Sequence, residues 1–280
     1  MLVVVPTYNE AENIGRIIDA VLSALPEGRV LVVDDGSPDG TGTIVAEHPS
    51  PRVHLLQRTA KQGLGRAYLA GFGWGLEQGY ERFVEMDADF SHDPSDLPAL
   101  TGATEACDAA IGSRYVPGGQ VVGWSRNREL LSRFGNTYAR WLLGFPFRDA
   151  TSGFRCYRRA VLEAVPLDEV ASQGYAFQID MTYRAWRLGF ALQEIPISFR
   201  DREDGHSKMS KAIVVEAVTS VARWAARDRF RRSRRQVAVP GQHDADDTTA
   251  GDAAGPPAPR PDELPEPSAT GAPARGRRRG

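Results

Sequence analysis

Two acidic residues stand two positions apart in the segment from Glu85 to Asp89, which reads Glu-Met-Asp-Ala-Asp. Side chains at i and i+2 lie on the same side of an extended chain, so Asp87 and Asp89 can share one cation. Magnesium is often held by only one or two carboxylates, with phosphate oxygens and water completing its coordination. The pair therefore predicts a divalent metal bound together with a diphosphate. The alternative is an acidic pair that is merely solvated.

Two other short segments place unusual polar residues after apolar runs. In the segment from Pro6 to Glu10, Pro6 stops a strand and Tyr8 offers a flat face on which a base can stack. A turn followed by a helix, with Asn9 as its cap, explains this segment equally well. In the segment from Asp34 to Thr41, Asp35 can accept hydrogen bonds from a nucleobase or from ribose hydroxyls. Asx-type turns are the alternative there.

The elements that must position these residues follow from hydrophobic patterning. Short β-branched runs alternate with helical patterns from Met1 to about Trp186, which predicts βαβ units and an α/β fold with a mostly parallel, Rossmann-like sheet flanked by helices. Ligands bind beyond the carboxyl ends of strands in such sheets, so we expect the three polar segments to form one cleft. The predicted strands are Leu2 to Val5, Val30 to Val33, Val53 to Gln57, Arg82 to Met86 and Ala109 to Gly112.

Three helices are predicted in particular. Apolar residues from Ile14 to Leu25 recur at helical spacing and indicate one buried stripe. A second helix spans Leu64 to Gln78, where three glycines indicate close packing against the sheet: Gly71, Gly73 and Gly75. A third pattern runs from Met209 through Trp224 and ends in arginines. With Trp224 and Phe230 among those arginines, this helix is predicted to lie on anionic lipid, or else to pack in the core or bind a membrane-protein partner.

Composition narrows the class of protein. The chain has 280 residues, of which 41% are hydrophobic, and a formal net charge of -2, so no global basic field indicates a nucleic-acid partner. Two cysteines, no signal-peptide pattern and no apolar run of eighteen residues predict a cytoplasmic protein without a transmembrane segment. Residues 1–235 are expected to form the catalytic domain, and the Pro/Ala/Gly-rich residues 236–280 a disordered tail.

Several motifs together resemble one family. The Asp87-Ala88-Asp89 element after a strand is similar to that of the inverting nucleotide-sugar glycosyltransferases with the GT-A fold. Further segments narrow the resemblance to the polyprenyl-phosphate mannose synthases, also called dolichyl-phosphate mannose synthases. The resemblance covers roughly Leu2 to Lys211, and its separate motifs occur in the family's order. These segments are Gly112 to Gly119, then Trp124, Arg128, Ser132, Arg133 and Asn136, then Thr151 to Arg155, and Arg202 to Lys208.

The resemblance implies roles for individual residues. Asp87, Ala88 and Asp89 would surround the metal and the diphosphate, and Ser91 occupies a third metal-contacting position where some relatives have Gln. The residues implied in guanosine contacts are Pro6, Tyr8, Glu10, Val33 and Asp35. Those implied in gripping phosphates, and with Asp89 in catalysis, are Arg114, Arg202 and Lys208. Gln178 and Asp180 sit where the family approaches the acceptor, without an assigned role, and a capped helix start is the competing interpretation.

The activity expected from this resemblance is transfer of mannose from GDP-mannose to a polyprenyl phosphate, with Mg²⁺ or Mn²⁺. A lipid phosphate is already anionic, so attack on the sugar needs no strong general base, and a single displacement predicts inversion. The enzyme would act at the inner face of the membrane as a peripheral protein. The alternatives are a glucosyltransferase that uses UDP-glucose, with a lipid phosphate or a polysaccharide as its acceptor, and a non-catalytic subunit that binds nucleotide sugars.

Overall fold

The computed structural model describes residues 1–201 and 211–237, with side chains described for 1–201 and 215–228. Strands and helices alternate along most of this length. The strands are β1 (Leu2–Thr7), β2 (Arg29–Asp34), β3 (Val53–Gln57), β4 (Arg82–Glu85), β5 (Ala109–Ser113), β6 (Gln120–Val122), β7 (Arg155–Arg158), β8 (Leu192–Pro196) and β9 (Ser198–Arg200). The α-helices are α1 (Ile14–Ala24), α2 (Thr41–Ala46), α3 (Leu64–Glu77), α4 (Leu97–Ala103), α5 (Arg126–Leu143), α6 (Arg159–Ala164), α7 (Gly174–Arg187) and α8 (Lys211–Val237).

Seven of the strands form one sheet in the order β3-β2-β1-β4-β7-β5-β8. The predicted mostly parallel sheet is confirmed, since β7 alone of these strands runs antiparallel to its neighbours, β4 and β5. All five predicted strands are present with small shifts at their ends. The sequence of β7, Arg-Cys-Tyr-Arg, contains no apolar run, which is why hydrophobic patterning missed it.

Alternating side chains of the central strands enter two separate apolar layers. Val3 and Val5 of β1 pack with α1 and α4 on one face. Leu2 and Val4 pack with α3, α6 and α7 on the other face. A strand that is buried on both faces has to be apolar throughout, as β1 and β2 are. This double burial fixes the sheet's carboxyl edge, where the polar segments follow the strands.

The predicted close approach of α3 to the sheet is confirmed at two of the three glycines for which it was expected. A Cβ atom on Gly71 would lie 2.4 Å from Cγ1 of Val4, and one on Gly75 would lie 2.5 Å from Cε1 of Phe83. A Cβ atom on Gly73 would meet nothing within 4 Å. Gly71 and Gly75 therefore allow the helix to contact the strands, whereas Gly73 does not serve this purpose.

Helix α8 packs into the protein along part of its length. Val221 and Ala225 are buried in a third cluster with residues of α5 and α7, and the partly buried Trp224 packs against that cluster. Trp224 therefore packs against the core, as the alternative interpretation predicted, and not on lipid. Phe230 and the arginines beyond residue 228 lie outside the residues whose side chains are described. In the described part of the chain, no helix is long and apolar enough to cross a membrane.

Helix α8 ends at Val237, two residues past the domain boundary predicted at 235. Residues 238–280 lie outside the described ranges. The disordered tail therefore stays a prediction.

Candidate active site

A cavity of about 540 Å³ lies at the carboxyl ends of β1, β2 and β4. Its volume is within the range of small-molecule sites. The predicted single cleft is therefore confirmed. Of the residues singled out from the sequence, those that line the cavity include Pro6, Thr7, Tyr8, Glu10, Asp35, Asp87, Ala88, Asp89, Ser91, Arg114, Trp124, Arg128, Thr151, Ser152, Gly153 and Gln178.

Tyr8 and Asp35 form one wall of this cavity. The Nζ atom of Lys61 lies 4.2 Å from the centroid of the Tyr8 ring, so the ring can carry a cation on its face as well as stack on a base. Burial raises the pKa of Asp35, although the nearby Arg58 acts in the opposite direction. The backbone N–H of Gln62 also donates to Asp35 Oδ2 at 3.3 Å.

Val33 is placed differently from its expected role. Its side chain is fully buried in the apolar layer beneath α3 and is not among the residues that line the cavity. The cause is its position inside β2, where a side chain that faces a helix cannot also face the sheet edge. The Val33 side chain therefore does not reach the cavity, and the expected contact of Val33 with guanosine stays a prediction for its backbone. Its backbone remains near the strand end.

The acidic turn after β2 contains both predicted alternatives, namely Asx-type turns and an Asp35 carboxylate that is available to a ligand. Asp34 accepts hydrogen bonds from the Thr7 hydroxyl and the Ser37 backbone, at 3.1 and 3.0 Å. Asp39 accepts from the backbone N–H of Ala11 at 3.0 Å. These two carboxylates hold the turns, as the Asx-turn alternative predicts, and Asp35 between them faces the cavity.

Asn9 does not cap α1, because that helix begins at Ile14 and its preceding residue is Asn13. Instead, Asn9 adopts a left-handed conformation with φ of 61°, and its backbone N–H donates to Ser37 Oγ at 2.9 Å. Asparagine tolerates this conformation better than most residues. The bond links the turn after β1 to the turn after β2.

The acidic pair lies in a sharp turn after β4. Phe90, directly after Asp89, has φ of 57°, which is rare for a bulky residue and is found mostly where a site demands it. The turn lets the backbone N–H of Ser91 donate to Asp89 Oδ1 at 3.0 Å. Tyr68 of α3 makes a long hydrogen bond of 3.4 Å to Asp87 Oδ1.

The donor set of this turn fits a divalent ion that is coordinated partly by a ligand. Asp87, Asp89 and the buried Ser91 supply only oxygen atoms, which are the ligands that magnesium and manganese accept. Among the residues described, no group of three or more His, Cys, Asp or Glu side chains is arranged to hold a metal by itself. A diphosphate would therefore have to complete the coordination.

Glu85, at the end of β4, is a buried carboxyl group behind this turn. Burial raises its pKa to about 7, against the opposing effects of Arg155 and Gln178. The Gln178 amide is close enough to lower the pKa of Glu85 but forms no well-aligned hydrogen bond with it. Arg155 is fully buried and donates to the carbonyl oxygens of Ser152 and Ala150 at 2.7 and 2.6 Å. Arg155 thus stabilises the 150–153 turn that borders the cavity.

Arg114 follows β5 and is held by a buried carboxylate. Its Nε and Nη2 donate to Asp149 Oδ2 and Oδ1 at 2.7 and 2.6 Å, and Nη2 also donates to the Thr151 hydroxyl at 2.9 Å. Burial alone would raise the pKa of Asp149, but the charge and hydrogen bonds of Arg114 outweigh it and the net pKa is lowered. The Nη1 atom carries the two N–H donors that these bonds do not use.

Arg128 of α5 supplies a second cation to the cavity. Its Nη1 lies 2.7 Å from Oδ1 and 2.8 Å from Oδ2 of Asp201, and its guanidinium stacks over Trp124 at 4.2 Å from a ring centroid. Asp201 precedes the segment that contains Arg202 and Lys208. These two expected phosphate-binding residues lie outside the described residues, so their roles remain predictions.

The structure distinguishes Asp180 from Gln178, two residues of α7 to which the sequence assigned no role. Asp180 accepts from the Ser172 hydroxyl at 3.0 Å and from Arg184 Nε at 2.7 Å, and it is not among the cavity-lining residues. Gln178 lines the cavity. Asp180 therefore has a structural role, and Gln178 is the site candidate.

Sequence reasoning missed Lys61 and Asp149. Lys61 precedes the glycine-containing start of α3, and nothing in its local pattern distinguishes it from a solvated lysine. Asp149 is equally inconspicuous in sequence, because its partner Arg114 lies 35 positions away. Arg128 belongs to one of the motifs that carry the resemblance, but the sequence assigned it no role. Pairings over such distances require the fold.

An α/β fold with a mostly parallel sheet and an Asp-x-Asp turn at its carboxyl edge is that of the GT-A glycosyltransferases, as the resemblance predicted. The chain belongs to glycosyl transferase family 2, whose model matches residues 2–165. It is similar to a polyprenol monophosphomannose synthase from Mycolicibacterium smegmatis, with 53% identity over 83% of this chain and 89% of the relative. It is also similar to an undecaprenyl-phosphate mannosyltransferase from Micrococcus luteus, with 50% identity over 85% and 99% of the two chains.

Solved structures with the same fold include glucosyl-3-phosphoglycerate synthase from Mycobacterium tuberculosis. In its complex with Mn²⁺, UDP-glucose and phosphoglyceric acid, the TM-score is 0.62 at 20% identity, and the match covers 80% of this chain and 79% of that one. At this identity the likeness concerns the fold.

Proposed function

We propose that this enzyme transfers mannose from GDP-mannose to a polyprenyl monophosphate and gives polyprenyl-phosphate β-mannose and GDP. The observation that carries the proposal is one cavity in which the Asp87 and Asp89 carboxylates occur together with Arg114 and Arg128. The names of relatives with 53% and 50% identity agree with this donor sugar and this class of acceptor. Inversion follows from a single in-line displacement.

The cations of the cavity meet the main electrostatic demand of this reaction. Donor diphosphate and acceptor phosphate repel each other, and fixed cationic groups in a site shielded from water reduce that repulsion. Arg114 is rigid because Asp149 holds it, and Arg128 is held by Asp201. Arg202 and Lys208, by resemblance, would add to these charges. The acceptor phosphate is itself the nucleophile, so no side chain has to remove a proton.

Asp87 and Asp89 would hold Mg²⁺ or Mn²⁺ together with the diphosphate, and Ser91 would contribute directly or through water. The ion supplies stabilisation of the negative charge that develops on the departing diphosphate. The contribution of the chain is to fix both carboxylates on one short turn. Ser91 positions Asp89 through its backbone N–H.

The donor base would lie along the wall formed by Pro6, Tyr8, Glu10 and Asp35. A carboxylate such as Asp35 accepts N–H bonds and suits guanine, which presents N–H donors at one edge. UDP-glucose is the alternative donor, since uracil also has an N–H group. A non-catalytic subunit is disfavoured because the carboxylate pair and the cavity cations are all present.

We further propose that the enzyme lies on the inner face of the membrane through an exposed face of α5. Phe134, Trp141 and Leu130 occur on one side of this helix and are 70%, 78% and 65% exposed. Arg133 and Arg140 on the same helix are exposed and cationic. Apolar side chains flanked by arginines are typical of helices that lie in the interface of anionic lipid. Arg128, which lines the cavity, is on the same helix and would bring the site close to a lipid phosphate.

Calorimetric titration tests the donor and metal assignments. We expect GDP-mannose to bind more tightly than UDP-glucose, and its binding to weaken when Mg²⁺ and Mn²⁺ are removed by a chelator. Asp89→Ala, which removes a proposed metal ligand, should likewise weaken the binding of GDP-mannose. Asp93→Ser is its matched control and should not, because Asp93 caps a short helical turn outside the cavity and Ser preserves that cap. Preferred binding of UDP-glucose would replace the mannose assignment by the glucosyl alternative.

A further inference from the structure

Gln178 presents a buried amide group to the cavity. The residue lines the cavity, yet it is only 2% exposed. Within the described part of the chain, neither its Oε1 nor its Nε2 atom makes a well-aligned hydrogen bond, although the amide interacts with the Glu85 carboxyl. Buried amides are rarely left in this state, since each unmet donor or acceptor costs free energy. A ligand in the cavity that carries hydroxyl groups would satisfy it.

The protein satisfies the amide at most in part, because a carboxylate accepts only from Nε2 and leaves Oε1 without a donor. Glu85 is the nearby group with which Gln178 interacts, but both oxygens of that carboxyl also lack a well-aligned partner among the described residues. Thr182, one turn further along α7, donates to the backbone carbonyl of Gln178 at 2.9 Å, so the backbone is fixed while the side chain faces the cavity.

Gly153 locates the amide relative to the acidic pair. A Cβ atom on Gly153 would lie 3.6 Å from Gln178 Nε2 and 3.8 Å from Asp87 Oδ2. The absence of a side chain at Gly153 therefore keeps one small space open to both groups. A sugar attached to a diphosphate at the carboxylates would lie next to that space.

We propose that the Gln178 amide binds a hydroxyl group of the sugar ring that is transferred, in the space kept open by Gly153. The inference rests on the proposed function, because it takes a nucleotide sugar as the ligand. An amide has one acceptor and two donors and does not ionise, so it suits recognition of a hydroxyl group and not proton transfer. Gln178 is thus a specificity-determining residue for the donor sugar.

The test compares the binding of GDP-mannose with the binding of GDP by calorimetry in the presence of Mn²⁺. We expect Gln178→Ala to weaken the binding of GDP-mannose about tenfold and to leave the binding of GDP unchanged, because GDP lacks the sugar. An equal effect on both ligands, or none on GDP-mannose, would overturn the inference. Gln193→Ala serves as a control, since Gln193 is exposed on β8 and does not line the cavity.

Deoxy analogues of GDP-mannose identify the hydroxyl. The analogue that lacks the contacted hydroxyl is expected to bind the wild-type enzyme about tenfold more weakly than GDP-mannose does. The Gln178→Ala variant should bind that analogue and GDP-mannose with equal affinity. If the loss of affinity caused by Gln178→Ala and the loss caused by removing a hydroxyl were additive for every analogue, the contact would be contradicted. If the wild-type enzyme bound neither GDP nor GDP-mannose, the proposed function would fail instead, so the two failures are distinguishable.

Discussion

Arg114 and Asp149 form a buried ion pair with two parallel hydrogen bonds, of 2.7 Å from Nε to Oδ2 and 2.6 Å from Nη2 to Oδ1. The backbone N–H of Arg114 donates to the same carboxylate at 3.0 Å. Both side chains are almost inaccessible to solvent, and Arg114 nevertheless borders the cavity. Asp149 therefore fixes the position of a cation that the proposed reaction requires.

Asp149→Asn is expected to lower both the free energy of unfolding and the rate of transfer. The substitution leaves a buried guanidinium without its counter-charge, which costs roughly 3 kcal/mol. Urea unfolding measures this loss. In the double variant Arg114→Met with Asp149→Leu, stability should largely recover while transfer stays low, because the cation is absent. Restored transfer in the double variant would show that Arg114 acts only structurally.

The ion pair also predicts an acid dependence of stability. The pKa of Asp149 is lowered in the folded protein, so its contribution is complete above its ordinary value of 3.8 and is lost as the pH falls through the folded pKa. The difference in unfolding free energy between wild type and Asp149→Asn should be constant above about pH 5 and shrink by up to roughly 1.4 kcal/mol for each pH unit between 3.8 and the lower pKa of the folded protein. A difference that persists unchanged in acid would contradict the lowered pKa.

Helix α3 allows a matched comparison of two glycines. Gly71→Ala should destabilise the protein by roughly 1–3 kcal/mol, since the added methyl group would overlap Val4. Gly73→Ala should stabilise it by about 0.5–1 kcal/mol, because the site is open and alanine favours the helix. Urea unfolding of both variants is the measurement. Equal effects at the two positions would mean that α3 does not contact β1 as described.

Replacing Phe134 and Trp141 together by Glu should reduce binding to vesicles that contain phosphatidylglycerol by tenfold or more. The change removes two exposed apolar side chains from the proposed membrane surface and adds negative charge. Co-sedimentation measures the bound fraction. Leu188→Glu is the control, because Leu188 is 52% exposed at the end of α7. Equal losses for the control and the double variant would remove α5 from the proposal.

Local patterns predicted the strands that carry the site, because β1 and β2 are apolar on both faces and end in recognisable polar turns. The placement of Tyr8, Asp35 and Asp87 in one cavity was predicted from the general rule that the carboxyl ends of parallel strands meet at one edge of the sheet. The roles of Arg114 and Arg128 within this cavity came from resemblance or from the structure. Neither the spacing of residues nor the composition of the sequence predicts these two roles.

Some features depend on packing that sequence does not reveal. Whether Val33 faces the nucleotide or α3 is decided by the pleat of β2, in which neighbouring residues point to opposite faces. The difference between Gly71 and Gly73 is likewise a matter of which side of α3 faces the sheet. The pairing of Arg114 with Asp149 joins residues 35 positions apart, and only the tertiary structure brings them together.

The most direct test of the central claim is transfer of label from GDP-mannose to polyprenyl phosphate, counted in the organic phase, with Mg²⁺ or Mn²⁺ and with UDP-glucose in parallel. The account predicts label from GDP-mannose that disappears with chelator and falls by at least about a hundredfold in Asp89→Ala, which loses the proposed metal ligand. Undiminished transfer by Asp89→Ala, or transfer from UDP-glucose alone, would contradict it.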